Sequence, residues 1–110
     1  MANARRGEIT ADIGGETFVL CLTLGALAEL EEAFGVEDLA ALGERFARGR
    51  LSAGDMIRLL GAGIRGGGRQ MSDREVAALP IGQGLENLAS IVARLLAVTF
   101  GAGEGPRPNP

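Results

Sequence analysis

Eighteen glycines in 110 residues cut this chain into short segments and leave its core to small, closely packed side chains. Glycine weakens the interiors of helices and strands and is favoured where they end, so such a chain folds as many brief elements. Apolar residues make up 46% of the sequence, yet there are four Phe and no Trp or Tyr. The interior must therefore be mostly aliphatic. A chain of this length sustains one modest core, and a single globular domain over residues 1–100 is expected.

The first segments read as a hairpin spanning residues 8–22. Glu8–Ile13 and Thr17–Leu22 flank Gly14-Gly15, a pair suited to a tight turn. Ile9, Ala11 and Ile13 share one face of the first strand, and Phe18, Leu20 and Leu22 share one face of the second. Two strands alone are marginal in water, so a helix must cover that face.

Helix signals fill the rest. Thr23 is placed to cap a helix over about 24–34, with Leu24, Leu27, Leu30 and Phe34 at core spacing and Gly35 closing it. A second, about 38–48, turns Leu39, Leu42 and Phe46 inward and ends at Gly49. Ser52 and Asp55 have capping-box spacing for a third, about 53–65, carrying Met56, Ile57, Leu60 and Ile64. It stops in Gly66-Gly67-Gly68, which reads as a flexible, solvated loop. Ser72 and Glu75 form another capping box for a brief helix over 73–79, ended by Pro80.

The last helix, about 83–100, is the longest and most apolar. Its Leu85, Leu88, Ile91, Val92, Leu95, Leu96, Val98 and Phe100 cover more than one packing seam. Either this helix is central in the fold, or part of its surface meets a partner. The proline-rich run beyond Gly101 cannot continue it, and 101–110 is expected to be a disordered tail. The fold class is thus mainly α with a small N-terminal β-hairpin (α+β), a compact bundle of four to five short helices.

Catalytic chemistry finds little to work with. The chain has no histidine, which removes His-based metal sites and nucleophile–histidine pairs. Cys21, the one cysteine, lies in an apolar strand where burial makes a thiol inert. Gly61, Gly63 and Gly66 spell G-x-G-x-x-G, but after a helix rather than at the start of one. The dipole there has the wrong sign for an anion, so helix termination and close packing are the better reading. Glu29, Glu31, Glu32, Glu37, Asp38 and Glu44 read as a solvated face, with Glu37 and Asp38 at a helix start. No catalytic residue, cofactor or metal is expected.

Net charge is −3, which disfavours direct nucleic-acid binding. Nothing approaches the length of a membrane span. A lone cysteine, and a polar start at Met1–Gly7 with no signal-peptide core after it, make a cytoplasmic protein the expectation. Charge is nevertheless uneven along the chain. Residues 29–44 carry six acids and no base, whereas 45–74 carry seven arginines against Asp55 and Asp73. Such asymmetry is either paired internally or offered to a partner, a second copy included. Arg65, Arg69 and Arg74 lack interleaved aromatics for base stacking. The candidate partner-binding residues are therefore Leu85, Leu88, Val92, Leu95, Leu96 and Phe100, with Glu32, Arg65 and Arg69 as electrostatic contacts.

The string as a whole has a likeness. Arg5-Arg6-Gly7-Glu8, the run from Leu22 to Glu31, Phe34-Gly35, Asp38-Leu39, Gly49-Arg50-Leu51-Ser52 and Gly61-Ala62-Gly63 resemble a small tail protein of alphaproteobacterial gene transfer agents, which are phage-like particles. The resemblance spans roughly residues 5–100. Members of that family are described as tail tube proteins or as tail assembly chaperones. A chaperone role implies the tape-measure protein and tail tube protein as partners. A tube or connector role implies a subunit retained in the particle. Tube subunits are dominated by β-sheets whose edges join into rings, whereas this sequence offers one hairpin and then helices, which favours the chaperone.

Overall fold

The computed structural model describes residues 3, 6–82 and 84–101. Seven elements follow one another: β1 (Glu8–Ile13), β2 (Glu16–Cys21), α1 (Leu24–Phe34), α2 (Leu39–Ala47), α3 (Ala53–Gly66), α4 (Asp73–Ala77) and α5 (Leu85–Phe100). The α+β architecture read from the sequence is the one observed. The expected tail over 102–110 and the expected helix start at Gln83 lie outside the described residues.

Local chemistry sets most boundaries. Gly14 and Gly15 both have positive φ, 63° and 87°, as a two-residue hairpin loop of this twist requires. That loop fixes an antiparallel register in which Ile9 faces Leu20 and Ala11 faces Phe18. Those four side chains and Ile13 are buried. Thr23 accepts a hydrogen bond from the Ala26 amide at the start of α1. Ser52–Asp55 and Ser72–Glu75 both close complete capping boxes. Asp38, expected at a helix start, caps α2 by accepting from Ala41.

The centre of the fold is the seam between α3 and the hairpin. Leu59, Ala62 and Ile64 are fully enclosed, and Leu20 lies against Gly63. At Gly66 and Gly67 the helix backbone touches the strand directly. A side-chain carbon at Gly66 would overlap the Cys21 carbonyl oxygen, and one at Gly67 would overlap that of Val19. The helix termination and close packing read at Gly66 are thus observed, whereas the reading of this run as a solvated loop is corrected at Gly67. Gly66 ends the helix and Gly67 caps it, both pressed on β2, and only Gly68 is exposed.

This seam also seals one edge of the hairpin. With Ile13 and Glu16 flanking a two-residue loop, alternate residues point their backbone groups outward, among them Thr10, Asp12, Val19 and Cys21. The Val19 and Cys21 carbonyls meet the α3 glycines. On the other edge, α5 donates from Arg94 to the Thr10 carbonyl and from Asn87 to that of Asp12. Both edges are covered by helices.

Two leucines depart from the expected pattern. Leu24 is 79% exposed, although its spacing with Leu27 and Leu30 pointed inward. At 100° per residue it lies about 110° from the centre of the stripe formed by Ala26, Leu27 and Leu30. Leu39 lies on the correct side of α2 but in its first residue, where no neighbour covers it, and is also exposed.

Replacing Gly67 by Ala should destabilise the fold by about 2–3 kcal/mol, since backbone must move to admit the methyl group. Gly54→Ala, in the same helix but with only the Ser52 hydroxyl nearby, should instead stabilise it by about 0.5 kcal/mol. Thermal midpoints of the two variants should move in opposite directions.

Candidate functional site

The candidate surface is built on α5, and the structure divides it in three. Ile91, Val92 and Leu95 are core residues, enclosed by the hairpin and the other helices. Leu95 is thus corrected from a partner contact to packing, whereas Val92, though buried, also lines a groove. Leu88, Leu96 and Phe100 are half-buried and line grooves, and Leu85 is exposed at the helix start.

One groove runs between α2 and the C-terminal half of α5. Phe46, Gly49, Leu51, Met56, Ala93 and Leu96 line its first part. Gly43, Ala47 and Phe100 continue it along the same two helices. The walls are almost wholly apolar, and small residues keep the floor low: a side-chain carbon at Gly43 would stand 3.7 Å from the Phe100 ring. Arg48 and Arg50 flank Gly49 at one end, both exposed and without an ion pair among the described residues. The second groove lies at the other end of α5, between Ile57 and Leu60 of α3, Val76 and Leu79 near α4, and Leu85 and Leu88.

The charged candidates separate differently. Arg65 sits on α3 and is held three ways, by the Glu29 carboxylate, by Asp73 at 3.0 Å and by the Met71 carbonyl at 2.8 Å. Arg69 pairs with Glu16 and lies over the Phe18 ring, 4.7 Å from its centre. Both tie distant segments of the chain together. Glu29, read from the sequence as part of a solvated face, is engaged with Arg65 for the same reason. Glu32 is exposed and makes no ion pair among the described residues.

At the joint of α2 and α3 the Arg45 guanidinium binds Asp55 at 3.1 Å and lies over Phe34, which meets Phe46 edge-on. The Ser52 amide holds the Asp55 carboxyl below the ordinary range, burial opposes this, and Arg45 adds to the lowering. Cys21 is the reverse case. Burial pushes its thiol up, the Glu8 charge adds to that and Arg6 opposes it. Its Sγ donates to the Arg6 carbonyl at 3.4 Å.

No group of His, Cys, Asp or Glu that could hold a metal ion occurs among the described residues. No described helix is long and apolar enough to cross a membrane. Gly61 and Gly63 lie inside α3 and are buried, so helix rather than strand precedes the glycine motif. What the site offers is apolar contact.

A family model described as phage tail tube protein, GTA-gp10, matches residues 6–102. The chain belongs to that family. It is a component of a phage-like, gene-transfer-agent type of tail. No curated protein and no solved structure matches it. For a GTA-gp10 protein, contact with other tail proteins is implied, and the grooves on α5 are where this chain offers apolar surface. Sequence reasoning found α5 but missed Phe46, Leu51, Met56 and Ala93. Their part in the groove depends on how α2 and α3 pack, which no single helix reveals.

Asp55, with its pKa lowered on folding, contributes stability that is present above the unfolded value of about 4 and is lost as pH falls through the folded value. Asp55→Asn should therefore destabilise the GTA-gp10 fold by about 1 kcal/mol at pH 7. That gap should narrow as pH falls below about 4, as read from thermal midpoints across the acid range.

Proposed function

We propose that this chain is a tail assembly chaperone, a non-enzymatic protein that covers the tape-measure protein and brings tail tube subunits to it. The observation that carries this reading is the hairpin with both edges covered. Tube rings grow by joining sheet edges, and here the outward carbonyls of Thr10 and Asp12 accept from α5 while the α3 glycines stand against those of Val19 and Cys21. An apolar groove between helices suits a different target, an amphipathic helix laid into it. The tape-measure protein is long and helical, with apolar stripes that need cover until the tube surrounds them. The α2–α5 groove binds those stripes, with Leu96 and Phe100 in contact and Arg48 and Arg50 meeting acids beside the stripe.

Release matters as much as capture. Many shallow contacts repeated along a long target give high occupancy while each remains weak enough for the tube to displace. The protein acts in the bacterial cytoplasm, where tails are put together. The family description itself favours a second reading, a tube or connector subunit that stays in the tail. Mass spectrometry of purified particles separates the two: a retained subunit is present at ring-like stoichiometry, and a chaperone is not.

Ala93 is exposed and lines the groove, so Ala93→Glu should leave the folding stability within about 0.5 kcal/mol of the parent, as read from thermal unfolding. The same change should lower co-purification with co-expressed tape-measure protein by about tenfold or more. If wild type neither solubilises nor co-purifies with the tape-measure protein, the chaperone reading fails.

A further inference from the structure

Three shallow pockets lie in series along α5, and each shares a wall with the next. Met56 lines both the pocket at Leu85 and Leu88 and the middle one, while Phe46 and Leu96 line both the middle pocket and that at Phe100. On α5 itself Leu85, Ala89, Val92, Leu96 and Phe100 follow at steps of four, three, four and four. At 100° per residue they fall within about 80° of one another, on one face of the helix. The two grooves on α5 are therefore one trough, about 24 Å long over the 16 residues of that helix.

From this continuity we infer that a single partner helix of about four turns occupies the whole trough, presenting large apolar side chains seven residues apart. The pockets hold about 180, 290 and 260 Å³, below the range of about 300–1,000 Å³ usual for small-molecule sites. A cavity of about 150 Å³ takes one benzene-sized guest, so each pocket suits one or two side chains rather than a ligand. Their centres are about six residues, or about 9 Å, apart along α5. Residues four apart on a guest helix advance about 6 Å, and residues seven apart about 10.5 Å. Inclined at about 20°, as in helix bundles, the seven-residue step covers about 10 Å of α5. That step, and not the shorter one, matches the pockets.

The ends of the trough carry the surface such a helix covers. Four large apolar side chains are exposed among the described residues. Ile81 and Leu85 rim one end, at 45% and 66% exposure. Leu39 stands at the other, one turn before Gly43 on the same side of α2, and Gly43 faces the Phe100 ring. A guest confined to the α2–α5 groove leaves Ile81 and Leu85 in water, whereas a four-turn helix covers them. No charged side chain among the described residues lines any of the three pockets, so the contact is apolar throughout. This rests on the proposed docking of an amphipathic helix in the α2–α5 groove. It adds the partner's length, its apolar spacing and the α3–α4–α5 groove as part of the same site.

The probes are three synthetic peptides, held helical by staples on their polar face and titrated against the full chain by fluorescence anisotropy. One carries three leucines seven residues apart, a second only two of them in a shorter helix, and a third carries three leucines four apart. The first should bind about tenfold or more tighter than either of the others. Leu85→Glu, outside the α2–α5 groove, should weaken the first peptide about tenfold and leave the second within about twofold. Ala93→Glu, in the middle pocket, should weaken both. Leu85 is exposed in the first turn of α5, where an acid is well tolerated, so the thermal midpoint should hold. Ala53→Glu, exposed at the start of α3 and lining the same pocket, replaces it if the midpoint falls.

Equal affinities of the first peptide and either of the others would overturn the inference, as would a first peptide indifferent to Leu85→Glu. Either result leaves the α2–α5 groove to a shorter helix. A first peptide that does not bind wild type also overturns it, while the chaperone reading stands or falls separately, on co-purification with the tape-measure protein. Concentration-dependent sedimentation of wild type alone, abolished by Leu85→Glu, would give the trough to a second copy instead.

Discussion

Direct contact between the end of α3 and the backbone of β2 is the constraint on which the remaining packing rests. At Gly66 and Gly67 the two main chains approach with no side chain between them, helix carbon against strand carbonyl. Cα–H···O contacts of this kind are individually weak, and their value here is geometric. They bring Gly63 down onto Leu20 and Leu95, which lets the enclosed Leu59, Ala62 and Ile64 fill the centre without any large aromatic ring. A core of aliphatic side chains holds its shape only when backbones stand this close.

Once α3 is fixed, the other helices have few choices. Its Arg65 gathers α1 through Glu29 and α4 through Asp73, while Asp55 at its start holds α2 through Arg45. Each link is a partly exposed ion pair of small net worth. Together they set the angle at which α1, α2 and α4 leave α3. Two of the seven arginines between residues 45 and 74, Arg45 and Arg65, make these joints. α5 closes the opposite side, burying Ile91, Val92 and Leu95 and covering β1 with Arg94 and Asn87.

Much of this was legible in the sequence, because it depends on neighbours a few residues apart. Thr23, Ser52 with Asp55, and Ser72 with Glu75 announce helix starts through side-chain bonds made within one turn. Gly14-Gly15 announces the hairpin by the φ angles that it alone admits cheaply. What stayed hidden depends on distance along the chain. Gly67 looks like a loop residue until β2, some 45 positions earlier, is set against it. Leu24 looks like core by spacing alone, and its exposure follows from how α1 rotates as it leaves the strand. Val92 and Leu95 could not be told from Leu96 and Phe100, since all four are apolar and only packing ranks them.

The division of α5 connects this architecture to tail assembly. One stripe of the helix holds the domain together, and the grooves at its two ends remain open because α2 and α4 are short and turn away. Filling either groove with larger side chains would add buried area and stability, but would remove the contact surface. Glycine and alanine at positions 43, 47, 49 and 93 keep the α2–α5 groove shallow and its walls close to main chain. A shallow groove binds an apolar helix without enclosing it, so a partner can be stripped away sideways by a competitor. That property suits an assembly factor better than a permanent wall. It follows from the same abundance of small residues that allows the core to close.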